Sequence, residues 1–199
     1  MNIIWHGHSC FEITGKDGTI VFDPYQANSV PGLNSLKLKA NLVLCSHEHD
    51  DHNARNCVEI APKDFKVTCI ETYHDHHQGS HRGKNTIHIV DFENLKVVHM
   101  GDIGCMMDDV SKLKNCDVLM IPIGGYYTID TKEALKYIER IQPRIVIPMH
   151  YHSHEFGYDV LSTNEEFIQK SSNIVYVDDY LEVHKETKGQ TIVFKKPRN

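Results

Sequence analysis

The chain has 199 residues, and its content of 40% hydrophobic, 24% charged and 9% aromatic residues excludes a disordered, collagen-like or coiled-coil protein. This length predicts one domain that spans residues 1–199 and has a sizeable core. The 21 Lys and Arg against 27 Asp and Glu give a net charge of -6, which disfavours non-specific binding to a nucleic-acid backbone.

The first half of the chain predicts short strands joined by turns. Apolar and β-branched runs predict strands over 2–5, 10–14, 19–22, 41–45, 66–70, 87–91 and 95–99. Residues 15–18 have the composition of a hairpin turn, and the run over 41–45 has the apolar character of a buried strand. A histidine-rich segment ends that run abruptly, and a short helix is expected after it.

The second half alternates strands with helices. Strands are predicted over 118–123, 145–147, 174–177 and 191–194, and helices over about 132–141 and 164–171. Asp130 and Glu133 have the spacing of a capping box, which predicts a helix start. Hairpins followed by this alternation indicate an α/β fold in which helices cover sheets.

No segment of the sequence predicts export or insertion into a membrane. The first residues are too polar for a signal peptide, and no stretch approaches the roughly 20 apolar residues that span a bilayer. The six cysteines form no C-x-x-C pair and are expected to be reduced. We therefore expect a cytoplasmic protein.

Histidine is unusually abundant, with 15 copies, most of them in clusters separated along the chain. Neutral imidazole is the commonest metal ligand in proteins, so the clusters favour loops that converge on a metal. The alternative is a set of solvated loops that are histidine-rich by chance.

The sharpest motif is His47-x-His49-x-Asp51-His52, directly after the strand over 41–45. In an extended chain His47 and His49 point to the same side, while Asp51 and His52 can face a second position nearby. Two divalent ions roughly 3.5 to 4 Å apart can activate a bridging water as hydroxide. The motif therefore predicts a two-metal site, with a structural or adventitious metal site as the alternative.

Three further candidate ligands each follow an apolar, strand-like run: His74, Asp102 and His150. Sites in open α/β sheets favour the carboxyl ends of strands, so these loops can deliver ligands to one face. Asp102 is suited to bridge two ions because a carboxylate has two oxygens. The ligand near residue 74 is left open among His74, His76 and His77, with His81 close by.

In these motifs the chain resembles the metallo-β-lactamase superfamily of metal-dependent hydrolases. The resemblance runs from Trp5-His6-Gly7-His8-Ser9 to Ile147-Pro148-Met149-His150-Tyr151 and includes Asp23, the histidine motif and Gly101-Asp102. Segments such as Tyr73-His74-Asp75 and Arg82-Gly83-Lys84-Asn85 resemble the branch that contains ascorbate-phosphate lactonase. The resemblance implies a four-layer αββα sandwich with metals at one edge, between the two sheets.

The resemblance also implies a role for each candidate ligand. By motif, His47, His49 and His74 would hold the first ion, Asp51, His52 and His150 the second, and Asp102 would bridge them. Asp23 matches a position that orients the metal loop by hydrogen bonding. Two divalent ions are thus expected, with zinc favoured by the imidazoles and manganese or iron as alternatives. The flavodiiron branch usually has Glu where this chain has His49, which counts against a redox function.

Two residues are candidates for binding substrate. His8, after the first strand, could contact substrate or a metal ligand, or it could make a structural hydrogen bond. Arg82, with Lys84 beside it, could bind a phosphate or carboxylate, because a planar guanidinium suits bidentate recognition. The alternative for this pair is a solvated, charged loop.

The leading hypothesis is a dinuclear metal-dependent hydrolase that uses a metal-bridging hydroxide on a small ester, lactone or phosphoester. Asp51 and Asp102 would be its catalytic carboxylates, with Asp51 shuttling a proton. One alternative is a non-catalytic metal-binding or ligand-sensing protein on the same fold. Another is a nucleic-acid phosphodiesterase, which needs a basic stripe that the acidic composition does not favour. We expect a small-molecule substrate, while oligomerisation is left open.

Overall fold

Strands form most of the regular structure in the computed structural model, which describes residues 1–198. In chain order they are β1 (Asn2–Gly7), β2 (Cys10–Gly15), β3 (Gly18–Phe22), β4 (Leu38–Ala40), β5 (Leu42–Leu44), β6 (Val58–Ile60), β7 (Val67–Tyr73), β8 (Lys84–Phe92), β9 (Leu95–His99), β10 (Val118–Pro122), β11 (Ile145–Met149), β12 (Ile174–Val177), β13 (Tyr180–Glu182) and β14 (Gln190–Phe194). The helices are α1 (Thr131–Ile141) and α2 (Glu165–Lys170), with one turn of 3₁₀ helix over Arg55–Cys57.

Two main sheets are present. The first has five strands in the order β13-β1-β2-β3-β5, antiparallel except for the parallel pair β3 and β5. The second has seven strands in the order β12-β14-β11-β10-β9-β8-β7, parallel from β12 to β9 and antiparallel at β8 and β7. A small parallel pair joins β4 to β6.

One continuous apolar core contains residues of both sheets. Phe11 and Phe22 of the first sheet share it with Ile87 of the second. Strands β10 and β11 are buried at all five positions, as expected for central parallel strands covered on both faces. Helix α1 places Ala134, Tyr137 and Ile141 in the same core, so the α/β class and the αββα sandwich are confirmed.

Most of the predicted elements are confirmed, with shifted ends. The Asp130 carboxylate accepts a hydrogen bond from the Glu133 amide, and the Glu133 carboxylate accepts one from the Asp130 amide, so the capping box is real. The predicted buried strand over 41–45 is wrong in extent and burial, because β5 has only three residues and all are half-buried. The expected short helix is the 3₁₀ turn, while β4, β6 and β13 were not predicted. No helix within residues 1–198 has the length and apolarity to cross a membrane.

The topology gathers the candidate ligands at one edge. Strand β7 runs in the same direction as β9, because each is antiparallel to β8, and β9 is parallel to β10 and β11. The carboxyl ends of β7, β9 and β11 therefore share one edge of the second sheet. They are followed by His74, Asp102 and His150, respectively.

Gly101 lies in the turn between β9 and Asp102, where the backbone has a φ of 56°. A Cβ atom there would lie 2.3 Å from Asn85 Oδ1 and 2.4 Å from Ser46 Cβ, far inside contact distance. The close approach of β9 to the histidine-rich loop therefore requires glycine at this position.

We expect Gly101→Ala to lower the free energy of unfolding more than Gly83→Ala, by roughly 1–3 kcal/mol, because only Gly101 is sterically enclosed. Gly83 is the matched control: its φ of 87° is also positive, but a Cβ atom there would meet nothing within 4 Å. Urea denaturation of both variants measures the difference. Equal destabilisation would show that the approach at Gly101 is not tight.

Candidate metal centre

The carboxylate of Asp102 lies at the centre of a cluster of imidazoles. Its Oδ2 atom is 3.0 Å from His150 Nε2, 3.1 Å from His52 Nε2, 3.3 Å from His74 Nε2 and 4.0 Å from His47 Nε2. Asp102 itself is 1% exposed. Burial alone would raise its pKa, but the imidazoles of His150 and His52 hold the pKa well below the usual range of a carboxyl.

Four buried atoms of this cluster have no hydrogen-bond partner within residues 1–198: His47 Nε2, His52 Nε2, His150 Nδ1 and Asp102 Oδ1. Buried polar atoms are almost always paired, because an unpaired one costs about 1–3 kcal/mol. Nitrogen and oxygen donors that converge without partners are the ligands that zinc, manganese and iron take in proteins. The residues present therefore fit a divalent cation.

The donor atoms fall into overlapping groups, within each of which all atoms lie within 4.8 Å of one another. Their members are His47, His49 and His74; His8, Asp51, His52 and His150; and His47, His52 and Asp102. The first two groups are the two predicted ligand sets, with Asp102 between them and His8 added to the second. The arrangement therefore brings potential donor atoms of both sets around one carboxylate.

Asp23 fixes the orientation of the histidine-rich loop. Its carboxylate accepts hydrogen bonds from the Ser46 amide at 2.6 Å, the Ser46 hydroxyl at 2.6 Å and His52 Nδ1 at 2.9 Å. Because the Ser46 hydroxyl donates to Asp23, His47 Nδ1 is assigned as the donor to Ser46 Oγ at 2.9 Å. Both rings thus bond through Nδ1, which leaves Nε2 as the nitrogen that faces Asp102 and a metal ion.

Negative charge around His52 favours a cation at this position. Burial disfavours the charged form of this imidazole, yet the carboxylates of Asp102, Asp51 and Asp23 hold its pKa well above the usual value. His47 lacks such close carboxylates, so burial and the neighbouring His52 lower its pKa to about 3. The same three carboxylates would stabilise a metal ion placed beside these rings.

Of the histidines near residue 74, one reaches the cluster. His74 is buried, whereas His76 and His77 are exposed. His76 Nε2 lies 3.7 Å from a Glu133 carboxylate oxygen, and the His77 ring packs against that of His81 at 4.3 Å. Of these histidines, His74 is therefore the one whose ring lies beside Asp102.

His8 belongs to the second group of donors and contacts Asp51, a candidate metal ligand. Its Nε2 is 3.2 Å from Asp51 Oδ2, and its ring centroid is 4.0 Å from that of His150. Burial, followed by the effect of His150, lowers the pKa of His8 to about 4. The Tyr158 hydroxyl lies 3.3 Å from the same Asp51 oxygen and donates to the Ser29 carbonyl at 2.7 Å.

Three residues of this site have strained backbone conformations. His8, Asp23 and His150 all have left-handed φ angles, of 53°, 42° and 53°. Side chains other than glycine disfavour this region by roughly 1 kcal/mol or more per residue, and such strain occurs most often at functional sites.

A cleft of about 220 Å³ opens onto the cluster. Its lining residues are His49, Asp51, His74, Arg82, Asp102, Tyr127, His150 and Tyr158. His49 is exposed here, and Arg82 is half-buried. By contrast, Lys84 lies 3.3 Å from Glu71 and does not line this cleft.

Several supporting residues were not found from the sequence. Asn85 Oδ1 accepts from the Asp102 amide at 2.8 Å, while Asn85 Nδ2 donates to the Met100 carbonyl at 2.9 Å. The Tyr127 carbonyl accepts from His74 Nδ1 at 3.0 Å. From the sequence, Asn85 was recognised only as part of a motif. The hydrogen bond between His74 and the Tyr127 carbonyl joins residues 53 positions apart and cannot be recognised from the sequence.

Other histidines lie outside the cluster. His6 Nε2 is 3.3 Å from Glu12, and His99 stacks on Phe22 while it donates to the Ser9 carbonyl at 2.9 Å. His99 therefore supports the core beside the site.

Comparisons with known proteins find relatives that are metal-dependent hydrolases. A family model described as "Beta-lactamase superfamily domain" matches residues 2–150. A metal-dependent hydrolase from Natranaerobius thermophilus is 30% identical over 77% of this chain and 84% of its own length. Another from Thermoplasma acidophilum is 28% identical over 83% and 88% of the two chains. A solved structure of a candidate Zn-dependent hydrolase of the metallo-β-lactamase superfamily, from Thermotoga maritima, superposes with a TM-score of 0.78 at 27% identity, covering 97% of each chain.

Replacement of Asp23 by asparagine should weaken divalent cation binding about 10- to 100-fold, because His52 loses the acceptor that orients its ring. Competition with a chromophoric chelator measures the affinity, and circular dichroism checks the fold. Asp117→Asn is the matched control, since Asp117 pairs with Arg144 outside the cluster. A folded Asp23→Asn protein with the affinity of the wild type would contradict this role of Asp23.

Proposed function

Since the chain belongs to the metallo-β-lactamase superfamily, we propose that it is a two-cation hydrolase of small esters, lactones or phosphoesters. Family membership and the relatives make it a metal-dependent hydrolase. The number of cations, their ligands and the substrate class are the proposal. Zinc is the favoured metal, in keeping with the imidazole-rich site and with the description of the Thermotoga maritima relative. The finer resemblance to the ascorbate-phosphate lactonase branch stays a prediction.

One observation supports the two-cation centre above the others: Nε2 atoms from four histidines surround Asp102 Oδ2. We assign one cation to His47, His49 and His74 and the second to Asp51, His52 and His150, with Asp102 shared. His8 is close enough to Asp51 to orient its carboxylate or to join the second set.

Cations bound there would supply an activated water for attack and positive charge for the substrate oxygen that becomes negative. The residues of the chain then have separate roles in the reaction. Asp102 holds the two halves of the centre together. Asp51 is placed to take up a proton at Oδ2, which His8 Nε2 and the Tyr158 hydroxyl both approach. Asp23 fixes the rings of the histidine-rich loop.

The cleft favours a small molecule over a nucleic acid. Its volume is about 220 Å³, and Arg82 is the one Lys or Arg among the residues that line it. Recognition of a phosphodiester backbone relies on several cations along a groove, and the lining residues of this cleft do not form such a stripe.

Asp102→Asn and His49→Ala should each retain less than about 1% of wild-type kcat/KM, because direct ligands matter more than the outer partners whose loss costs 10- to 100-fold. The assay is hydrolysis of a panel of lactone, thioester, phosphomonoester and phosphodiester substrates, with metal content measured in parallel. His154→Ala, at an exposed histidine outside the cluster, is the control and should keep full activity.

Removal of metal by a chelator should abolish turnover, and added zinc or manganese should restore it. Full activity of the metal-free protein would refute the proposal. A protein that binds metal stoichiometrically but turns over no member of the panel would instead support the non-catalytic, ligand-sensing alternative.

A further inference from the structure

The loop between His74 and strand β8 is tied to a single carboxylate. Asp75 is buried and accepts four backbone hydrogen bonds. Its Oδ1 accepts from the amides of His77 and Gly79 at 2.7 and 2.9 Å, and its Oδ2 accepts from those of His81 and Arg82 at 3.1 and 2.7 Å. Hydrogen bonds to a carboxylate are stronger than neutral ones, so the backbone of Arg82 is held at a defined position.

An aromatic surface then fixes the side chain of Arg82. The guanidinium carbon lies 4.2 Å from the ring centroid of Tyr127 and 5.8 Å from that of Tyr126. Both distances are within the range of a cation–π interaction. The carbonyl of the same Tyr127 accepts the hydrogen bond from His74 Nδ1. Tyr127 therefore connects the position of the guanidinium to that of a candidate metal ligand.

Arg82 differs from the other arginines of the chain because its guanidinium has no hydrogen-bond or carboxylate partner within residues 1–198. Arg55 bonds Glu48, and Arg140 bonds the carbonyls of Met107 and Asp108. Arg144 bonds Asp117, and Arg198 bonds Asp179. A guanidinium has five N–H donors in a planar fork that matches two oxygens of a carboxylate or phosphate. Arg82 is half-buried, packs against two tyrosine rings and has no protein acceptor for these donors within residues 1–198.

The cleft supplies the place for such an acceptor. Arg82 lines it together with the candidate ligands His49, His74 and His150. Tyr126, which is 69% exposed, stands beside Tyr127 with its ring centroid 4.8 Å away. A molecule in the cleft would thus meet the guanidinium of Arg82 and the ring of Tyr127 close to the candidate metal ligands.

We propose that Arg82 binds a carboxylate or phosphate group of the substrate, and that the enzyme therefore selects small anionic substrates. Tyr127 is the positioning residue that holds the guanidinium. This inference rests on the proposed function, because it names the class of molecule that the hydrolase accepts.

Binding of three related probes tests the anion site without turnover. Benzoate, phenylphosphonate and benzamide share one ring and differ in the attached group: a carboxylate, a phosphonate or a neutral amide. Isothermal titration of the metal-loaded protein, with metal content verified by elemental analysis, gives each affinity. Arg82→Gln should weaken binding of at least one anion about 10- to 100-fold and leave benzamide unchanged. The anion whose affinity falls more identifies the preferred group as carboxylate or phosphate.

Two further variants separate the role of Arg82 from a general loss of charge or structure. Lys84→Gln removes the neighbouring cation at the start of β8, which lies outside the cleft, and should leave all three affinities unchanged. Tyr127→Leu removes the ring but keeps the carbonyl that bonds His74, so anion binding should weaken about 3- to 10-fold at unchanged metal content. Tyr127→Phe should behave as the wild type.

Failure of both anions to bind the wild type, or equal weakening of benzamide by Arg82→Gln, would overturn the anion site. Kinetics give an independent readout. For a neutral ester and the same ester with an added carboxylate, Arg82→Gln should raise KM for the charged member alone. If neither an ester nor any member of the substrate panel is turned over while the probes still discriminate, the hydrolase proposal fails and the anion site stands.

Discussion

A buried carboxylate without a full set of partners is the constraint on which the site depends. Asp102 is 1% exposed, and its Oδ1 has no hydrogen-bond partner within residues 1–198. An ionised carboxylate costs several kcal/mol to bury unless a cation or strong donors compensate it. Asp102 is surrounded instead by imidazole nitrogens, which bind metals through their lone pairs. A divalent cation satisfies both kinds of group at once, which is why metal binding explains this cluster better than ordinary packing.

Loops from both sheets bring the candidate ligands to the Asp102 carboxylate. The loop after β5 supplies the histidine motif, and the loops after β7, β9 and β11 supply His74, Asp102 and His150. Asp23, after β3, and Asn85, at the start of β8, hold these loops by hydrogen bonds to Ser46, His52 and the Asp102 amide. Positive φ angles at several of these residues show that the chain is bent to bring the loops together. Stable sheets thus support a locally strained centre.

The sequence predicted the parts of this arrangement that follow from strand ends. Every proposed ligand lies after an apolar run, and the structure brings all of them to one edge. The features that the sequence did not predict depend on contacts between distant residues. They are the pairing of β4 with β6, the addition of β13 to β1, and the hydrogen bond from His74 to the Tyr127 carbonyl. The packing of Arg82 against Tyr126 and Tyr127 also had to come from the structure, because a lone arginine in a loop is as consistent with solvation as with binding.

The most direct test of the central claim is anomalous diffraction from crystals of the protein grown with zinc or manganese. The account predicts two anomalous peaks roughly 3.5 to 4 Å apart, on either side of the Asp102 carboxylate, one beside His47, His49 and His74 and the other beside Asp51, His52 and His150. A single peak, or peaks at His77 and His81 with none at Asp102, would contradict it.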